Sequence, residues 1–227
     1  MKVLLLSGEV HCGKTTILKG WCERAIAAGA VVQGTLAWPD DERGRRHFTS
    51  LPAFETRRAQ VSLDDDGAEE RALLQDAGAE VVKVGPYTFR KDVFEWAKAC
   101  VEEPLCAPCP KCSLPPSACT CRARYLVLDE VGPLEINRGG GLEPSVTRLF
   151  AAMRSGAAPA NLVVVAVVRS RCVEAFKDKY TKSDGDGGGC GTPGMAAIPV
   201  EAEFLKSQDW ETFSKGIEYV FPYIKKE

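Results

Sequence analysis

The sequence has little of three features that would point to particular classes of protein: long apolar runs, an excess of basic charge, and histidine. No apolar run approaches the roughly 20 residues of a membrane-spanning helix, and the run near the N-terminus is too short for a signal peptide. The net charge is −2, so no overall positive field is present to hold nucleic acid. We attach no catalytic or metal-binding role to the side chains of the two histidines, His11 and His47. We therefore expect a cytoplasmic, monomeric protein that binds neither membrane nor nucleic acid.

The length allows one sizeable hydrophobic core. With 227 residues, the chain is predicted to form a single domain over residues 1–227. Its ten cysteines would suggest disulfides in a small secreted chain, but that context is missing here.

A phosphate-binding motif stands near the N-terminus. Residues 8–15 have the pattern G-x-x-x-x-G-K-[ST], directly after the apolar run 3–6 and before a plausible amphipathic helix. Backbone N–H groups of such a loop and of the helix N-terminus converge on phosphate. Lys14 is expected to reach the β- and γ-phosphates, and the Thr15 hydroxyl to ligate Mg²⁺. The predicted nucleotide contacts are Gly8, Glu9, Val10, His11, Cys12, Gly13, Lys14, Thr15 and Thr16.

A second motif ends a strand in the middle of the chain. In residues 125–132, four largely apolar residues lead to Asp129 and Glu130. This pattern predicts a central strand buried on both faces, whose C-terminal end is where open α/β sheets bind ligands. Asp129 is expected to hold the Mg²⁺ shell, and Glu130 to polarise an attacking water. The alternative is a solvated strand end without a catalytic role.

Strands alternate with helices along the rest of the chain. Predicted strands are residues 2–7, 31–36, 46–51, 81–84 and 162–168. Predicted helices are residues 16–28, 92–101, 144–154, 172–180 and 210–224. Alternation of this kind is typical of a parallel sheet covered on both faces. We predict an α/β fold of the P-loop NTPase type, a three-layer sandwich around a mainly parallel sheet.

Residues 102–122 are rich in cysteine and proline and are predicted to be an insertion in that fold. Cys-x-x-Cys spacing brings two thiolates to one ion, and four sulfurs complete a tetrahedral Zn²⁺ site. A structural Zn²⁺ would stiffen a loop that has little apolar content of its own. An iron–sulfur cluster uses similar spacing, and free or redox-active thiols are the third alternative. The residues involved are Cys106, Cys109, Cys112, Cys119 and Cys121.

With both nucleotide motifs in place, further pieces resemble the THEP-type, or cancer-related, nucleoside-triphosphatase family. The pieces, which run from residue 1 to about 180, are Gly-Lys-Thr-Thr in the phosphate loop, Val32-Gln33-Gly34, Gly44-Arg45-Arg46, Val84-Gly85-Pro86-Tyr87 with Phe94-Glu95, and Asp129-Glu130-Val131-Gly132-Pro133-Leu134-Glu135. The resemblance implies slow, Mg²⁺-dependent hydrolysis of ATP, GTP and other triphosphates. The roles of Lys14, Thr15, Asp129 and Glu130 carry over directly. For Glu135 it implies a structural or positioning role.

Two features depart from that family. Pro133 stands where the family usually has lysine, so any phosphate contact from that side chain is gone. The cysteine-rich insertion is not one that we associate with the family.

Arginines are the candidates for stabilising charge in the transition state. Arg169 and Arg171 follow a valine-rich strand, at the edge of the sheet where Lys14 is expected, although a solvated helix start would also explain them. Arg45 and Arg46 are weaker candidates for contacting nucleotide, because exposed charge on a hairpin is the more common explanation.

Three functions remain in competition. We favour hydrolysis of nucleoside 5′-triphosphates, with Glu130 activating water. A nucleotide or small-molecule kinase is the second, with the cysteine loop as a metal-stapled lid over the acceptor. The third is a switch ATPase whose turnover is controlled by a partner.

Overall fold

A computed structural model describes residues 2–9, 13–39, 46–61, 80–84, 87–115, 118–119, 124–181 and 194–199. Its strands are β1 (Lys2–Gly8), β2 (Val31–Pro39), β3 (Arg46–Leu51), β4 (Thr56–Arg58), β5 (Gln60–Val61), β6 (Val81–Val84), β7 (Tyr87–Arg90), β8 (Arg124–Val131), β9 (Leu162–Arg169) and β10 (Gly194–Pro199). Its helices are α1 (Lys14–Ala27), α2 (Lys91–Cys106), α3 (Pro133–Arg138), α4 (Glu143–Ser155) and α5 (Val173–Thr181).

The main sheet has seven strands in the order β10-β1-β9-β8-β2-β3-β4. The first five are parallel to one another, and β3 and β4 continue the sheet in antiparallel pairs. A second, three-stranded antiparallel sheet has the order β5-β7-β6. The predicted mainly parallel α/β sheet is confirmed.

Two separate hydrophobic clusters cover the two faces of the main sheet. Because successive side chains of a strand point to opposite faces, Leu5 packs with α2, α4 and α5, whereas Leu4 and Leu6 pack with α1. The strands β8 and β9 are buried along almost their whole length. This is the burial expected of central parallel strands, and it produces the three-layer sandwich.

The elements agree with the predicted ones wherever the apolar pattern is long. The exceptions are short: β4, β5, β7, β10 and α3 are not predicted, since segments of two to six residues carry too little periodicity. The helix predicted over residues 210–224 lies outside the described residues.

The helix predicted over residues 92–101 is longer in the structure and extends into the cysteine-rich segment. Helix α2 continues through residue 102 and through Pro104 to Cys106. Pro104 lies in the last turn, so the ladder bond that its missing N–H removes falls close to where the helix ends. Its ring is buried.

Candidate nucleotide-binding site

Parallel strands bring the predicted site residues to one edge of the sheet. β1 ends at Gly8, β8 at Val131 and β9 at Arg169, and these strands lie side by side. The C-terminal edge of a parallel sheet is where α/β proteins bind ligands. Four of the predicted functional residues, Lys14, Asp129, Glu130 and Arg169, lie at or directly beyond this edge.

The phosphate loop joins β1 to α1 at this edge. Gly13, immediately before the helix, has a φ of +80°, in the left-handed region that favours glycine. The ammonium of Lys14 donates to the carbonyl of Gly8 at 2.9 Å and to that of Glu9 at 2.5 Å. Thr16 is exposed in the first turn of α1. The remaining predicted contacts, Val10, His11 and Cys12, lie outside the described residues.

Thr15 and Asp129 meet beside the backbone of β2. The Thr15 hydroxyl is 3.4 Å from the carbonyl oxygen of Ala37, and it also hydrogen-bonds to Asp129. The N–H of Ala37 donates to one carboxylate oxygen of Asp129 at 3.0 Å, and the N–H of Glu130 donates to the other at 2.9 Å. The Asp129 side chain is therefore fixed in position between two strands.

Asp129 is fully buried. Burial, and after it the charge of Glu130, raises the pKa of Asp129 to about 7. A divalent cation at this carboxylate would oppose both effects. A hydroxyl and a carboxylate are the hard oxygen donors that Mg²⁺ prefers, so the pair formed by Thr15 and Asp129 can hold this ion.

Glu130 leaves the regular strand geometry. Its φ is +67°, and the pairing of β8 with β9 shifts register between Leu128 and Val131. A bulge of this kind redirects a side chain. The Glu130 carboxylate forms an ion pair with Arg46 and lies 3.8 Å from the guanidinium of Arg169.

The structure shows which of the candidate arginines lie at the site. Arg169 contacts Glu130, whereas Arg171 is exposed and makes no ion pair within the described part of the chain. Arg46 is 24% exposed and faces the site, so the interpretation that it is exposed hairpin charge is wrong. Arg46 reaches the site because β3 returns beside β2, and β2 is the neighbour of β8. Arg45 lies outside the described residues.

Glu135 supports the segment that follows β8. Its buried carboxylate accepts hydrogen bonds from the N–H groups of Gly132 at 3.0 Å and Leu142 at 3.3 Å. Burial raises the pKa of Glu135 to about 7, against the effect of these two bonds. This is a structural role, as expected. Pro133 occupies the first turn of α3, a position that proline favours.

Three of the five clustered cysteines come together. The sulfur atoms of Cys109, Cys112 and Cys119 all lie within 4.8 Å of one another, a group that can bind a metal ion. Cys106 is turned away, and its thiol bonds back to helix carbonyls, those of Glu102 at 3.5 Å and Glu103 at 3.7 Å. Cys121 lies outside the described residues.

The described part of the cysteine segment lies at the other edge of the sheet. Lys111 donates to the carbonyl of Gly29 at 2.8 Å, in the turn between the end of α1 and the start of β2. Since α1 begins at the phosphate loop and has 14 residues, this turn is about 20 Å from the loop. The described cysteine residues therefore do not form a lid over the phosphate site. For these residues, the lid that the kinase hypothesis requires is wrong.

The fold is an α/β sandwich of the P-loop NTPase type. Among the described residues, no helix has the length and apolarity that a membrane span needs.

The fold is similar to that of a human cancer-related nucleoside triphosphatase, whose structure was determined in solution. The two structures align over 100% of both chains with a TM-score of 0.58 and 16% sequence identity. At this low identity, the structural alignment shows a shared fold and no more. No family model matches the sequence, and no curated protein matches it.

Proposed function

We propose that the protein hydrolyses nucleoside 5′-triphosphates, ATP and GTP among them, to the diphosphate and phosphate in a Mg²⁺-dependent reaction. The observation that carries the proposal is the meeting of Thr15 and Asp129 beside the phosphate loop, with Glu130 as the next residue. The similar human protein supports it, since that protein is a nucleoside triphosphatase.

The residues at the strand edge divide the work. Lys14 and the N–H groups of the loop bind the β- and γ-phosphates. Thr15 and Asp129 hold Mg²⁺, which neutralises phosphate charge when bound. Glu130 accepts the proton of a water whose oxygen bonds to the γ-phosphorus, while the bond from that phosphorus to the β,γ-bridging oxygen breaks and the diphosphate leaves with the electron pair. Arg169 stabilises the charge that develops, and we assign no such role to Arg171.

The direct test is phosphate release from MgATP and MgGTP without an added acceptor. Lys14→Ala removes the main partner of the phosphate charge, so both binding and turnover should be lost. Glu130→Gln should bind MgATP at least as tightly as the natural sequence does and lose hydrolysis by about a hundredfold, because general-base catalysis contributes an effect of that size.

Other outcomes would point elsewhere. Loss of binding and rate to the same extent in Glu130→Gln would contradict the role of Glu130 as base. Tight binding without phosphate release by the natural sequence would contradict autonomous hydrolysis, and addition of acceptors or partners would then test the kinase and switch hypotheses.

We also propose that Cys109, Cys112 and Cys119 bind Zn²⁺ in a structural site. The sulfur atoms of Cys112 and Cys119 are 3.7 Å apart. This separation is close to the roughly 3.8 Å between sulfurs in tetrahedral zinc–thiolate geometry. It is far longer than a disulfide bond.

The turn around Cys109 supports thiolate ligation. The N–H of Cys109 donates to the carbonyl of Leu114, and its own carbonyl accepts from Ser113, both at 2.8 Å. Burial works against the charged thiolate, but hydrogen bonds from the N–H groups of Cys112 and Lys111 and from neighbouring thiols lower the pKa of Cys109 to about 6. A thiolate is the form that binds metal.

Metal analysis of the purified protein tests this site. We expect one zinc per chain and no visible absorbance of an iron–sulfur cluster. Cys112→Ser should lose the zinc, and Cys106→Ser, whose thiol faces helix carbonyls, should retain it. Cys121→Ser tests whether that residue is the fourth ligand. Full zinc content in Cys112→Ser would rule out the site.

A further inference from the structure

The pairing of β3 with β2 places Arg46 at the edge of the sheet that carries the phosphate loop. In that pairing Arg46 lies opposite Pro39, at the C-terminal end of β2. Ala37, two residues before Pro39 on β2, is the residue whose N–H bonds to Asp129. The first residue of the returning strand therefore lies near the Mg²⁺ ligand that we have proposed.

The backbone of Arg46 is held in place, and most N–H donors of its guanidinium have no partner among the described residues. Its carbonyl accepts from the N–H of Ala59 at 3.0 Å, and its own N–H donates to the side chain of Gln60 at 3.3 Å. Within the described residues the guanidinium pairs with Glu130 through a single nitrogen, Nη1. A guanidinium carries five N–H donors, so with respect to the described residues most of them can bind another anion.

The contact between Arg46 and Glu130 conflicts with the proposed role of Glu130. A carboxylate that pairs with Arg46 and Arg169 has fewer lone pairs for a water molecule. A triphosphate brings several negative charges to this edge, and guanidinium groups bind phosphate through paired N–H bonds. The γ-phosphate of an incoming triphosphate and the Glu130 carboxylate would therefore both bind the guanidinium of Arg46.

We propose that Arg46 contacts the γ-phosphate of bound triphosphate, and that Glu130 and this phosphate compete for its guanidinium. Transfer of Arg46 to the phosphate exposes the Glu130 carboxylate to the attacking water. Activation of the base is in this way coupled to the presence of a third phosphate. The inference rests on the proposed function, since it needs nucleotide at the phosphate loop.

Binding measurements with Mg²⁺ test this competition without any turnover. The probes are a non-hydrolysable ATP analogue and ADP, titrated calorimetrically against the natural sequence and its variants. Arg46→Ala should weaken binding of the analogue by about tenfold or more, the effect of one charge-assisted contact. Binding of ADP, which has no γ-phosphate, should stay within about twofold.

The decisive variant is Glu130→Gln, which removes the competitor. It should bind the analogue several-fold more tightly than the natural sequence does, because Arg46 no longer has to leave a carboxylate. The gain should disappear in the double variant Arg46→Ala/Glu130→Gln. Arg138→Ala, which removes one exposed positive charge at the end of α3, is the control and should change neither affinity.

Two results would overturn the inference. One is equal weakening of the analogue and ADP in Arg46→Ala, which would mean that Arg46 only supports the loop. The other is an unchanged affinity for the analogue in Glu130→Gln. If Arg46→Ala does not fold, Arg46→Lys, which keeps the charge without the planar fork, replaces it in the same cycle. Phosphate release by the natural sequence separates these results from failure of the proposed function.

Discussion

Side chains of the candidate site contact partners that come from distant parts of the chain. Asp129 is placed by the backbone of β2, and Glu130 is held by arginines from β3 and the end of β9. The motif residues themselves could be predicted, because the spacing of the phosphate loop and the Asp-Glu pair after an apolar strand are local patterns. The contact between Arg46 and Glu130 could not, because 84 residues separate the two partners.

The raised pKa of Glu135 predicts how the stability of the fold changes with pH. Its folded-state pKa of about 7 lies above the ordinary value of 4.5. The folded protein therefore binds this proton more tightly than the unfolded chain does. The stability that this adds is complete below pH 4.5 and is lost as the pH rises through 7.

Thermal unfolding of the metal- and nucleotide-free protein between pH 5 and 8 should show this contribution. Glu135→Gln cannot titrate, so its melting temperature should fall less with rising pH than that of the natural sequence. Glu55→Gln, at an exposed position, serves as the control. Parallel pH curves for Glu135→Gln and the natural sequence would contradict the assignment.

At the scale of elements, the loop between α3 and α4 depends on the space around Glu135. Gly139 and Gly141 both have left-handed backbones, with φ of +64° and +60°. A Cβ at Gly141 would lie 2.1 Å from a carboxylate oxygen of Glu135, whereas nothing lies within 4 Å of one at Gly139. Both positions carry the same backbone preference, but only one is sterically closed.

Alanine substitutions at Gly139 and Gly141 distinguish the cost of steric overlap from the cost of backbone strain. Gly139→Ala should lower the free energy of unfolding by about 1 kcal/mol, the cost of a left-handed alanine. Gly141→Ala should lower it by a further 1–3 kcal/mol or so, because the new methyl group overlaps Glu135. Chemical denaturation of both variants measures the difference, and equal losses would mean that the loop moves to make room.

At the scale of the whole molecule, the two candidate sites lie at opposite edges of one sheet. The phosphate loop stands where β1 ends, and Lys111, within the cysteine cluster, contacts the turn before β2 begins. The cluster can therefore stabilise the fold without touching the reacting groups.

Removal of the metal from the cysteine cluster should lower the stability of the protein and leave its rate of phosphate release almost unchanged. Treatment with a strong chelator, followed by excess Mg²⁺, should lower the melting temperature by several degrees, because metal binding contributes to folding. The rate of phosphate release per folded molecule should change less than twofold at a temperature where the apoprotein stays folded. A large loss of rate with unchanged melting would place the metal in catalysis instead.

Local patterns in the sequence predict the parts of this protein that depend on neighbours along the chain. These are the long buried strands, the helices between them, the phosphate loop, and the Cys-x-x-Cys turn, because periodicity and motif spacing act over a few residues. Contacts between distant residues set which arginines meet Glu130, which cysteines converge, and which edge of the sheet holds the cysteine cluster. Such contacts depend on the order of strands in the sheet and on a bulge in β8, and local sequence patterns specify neither.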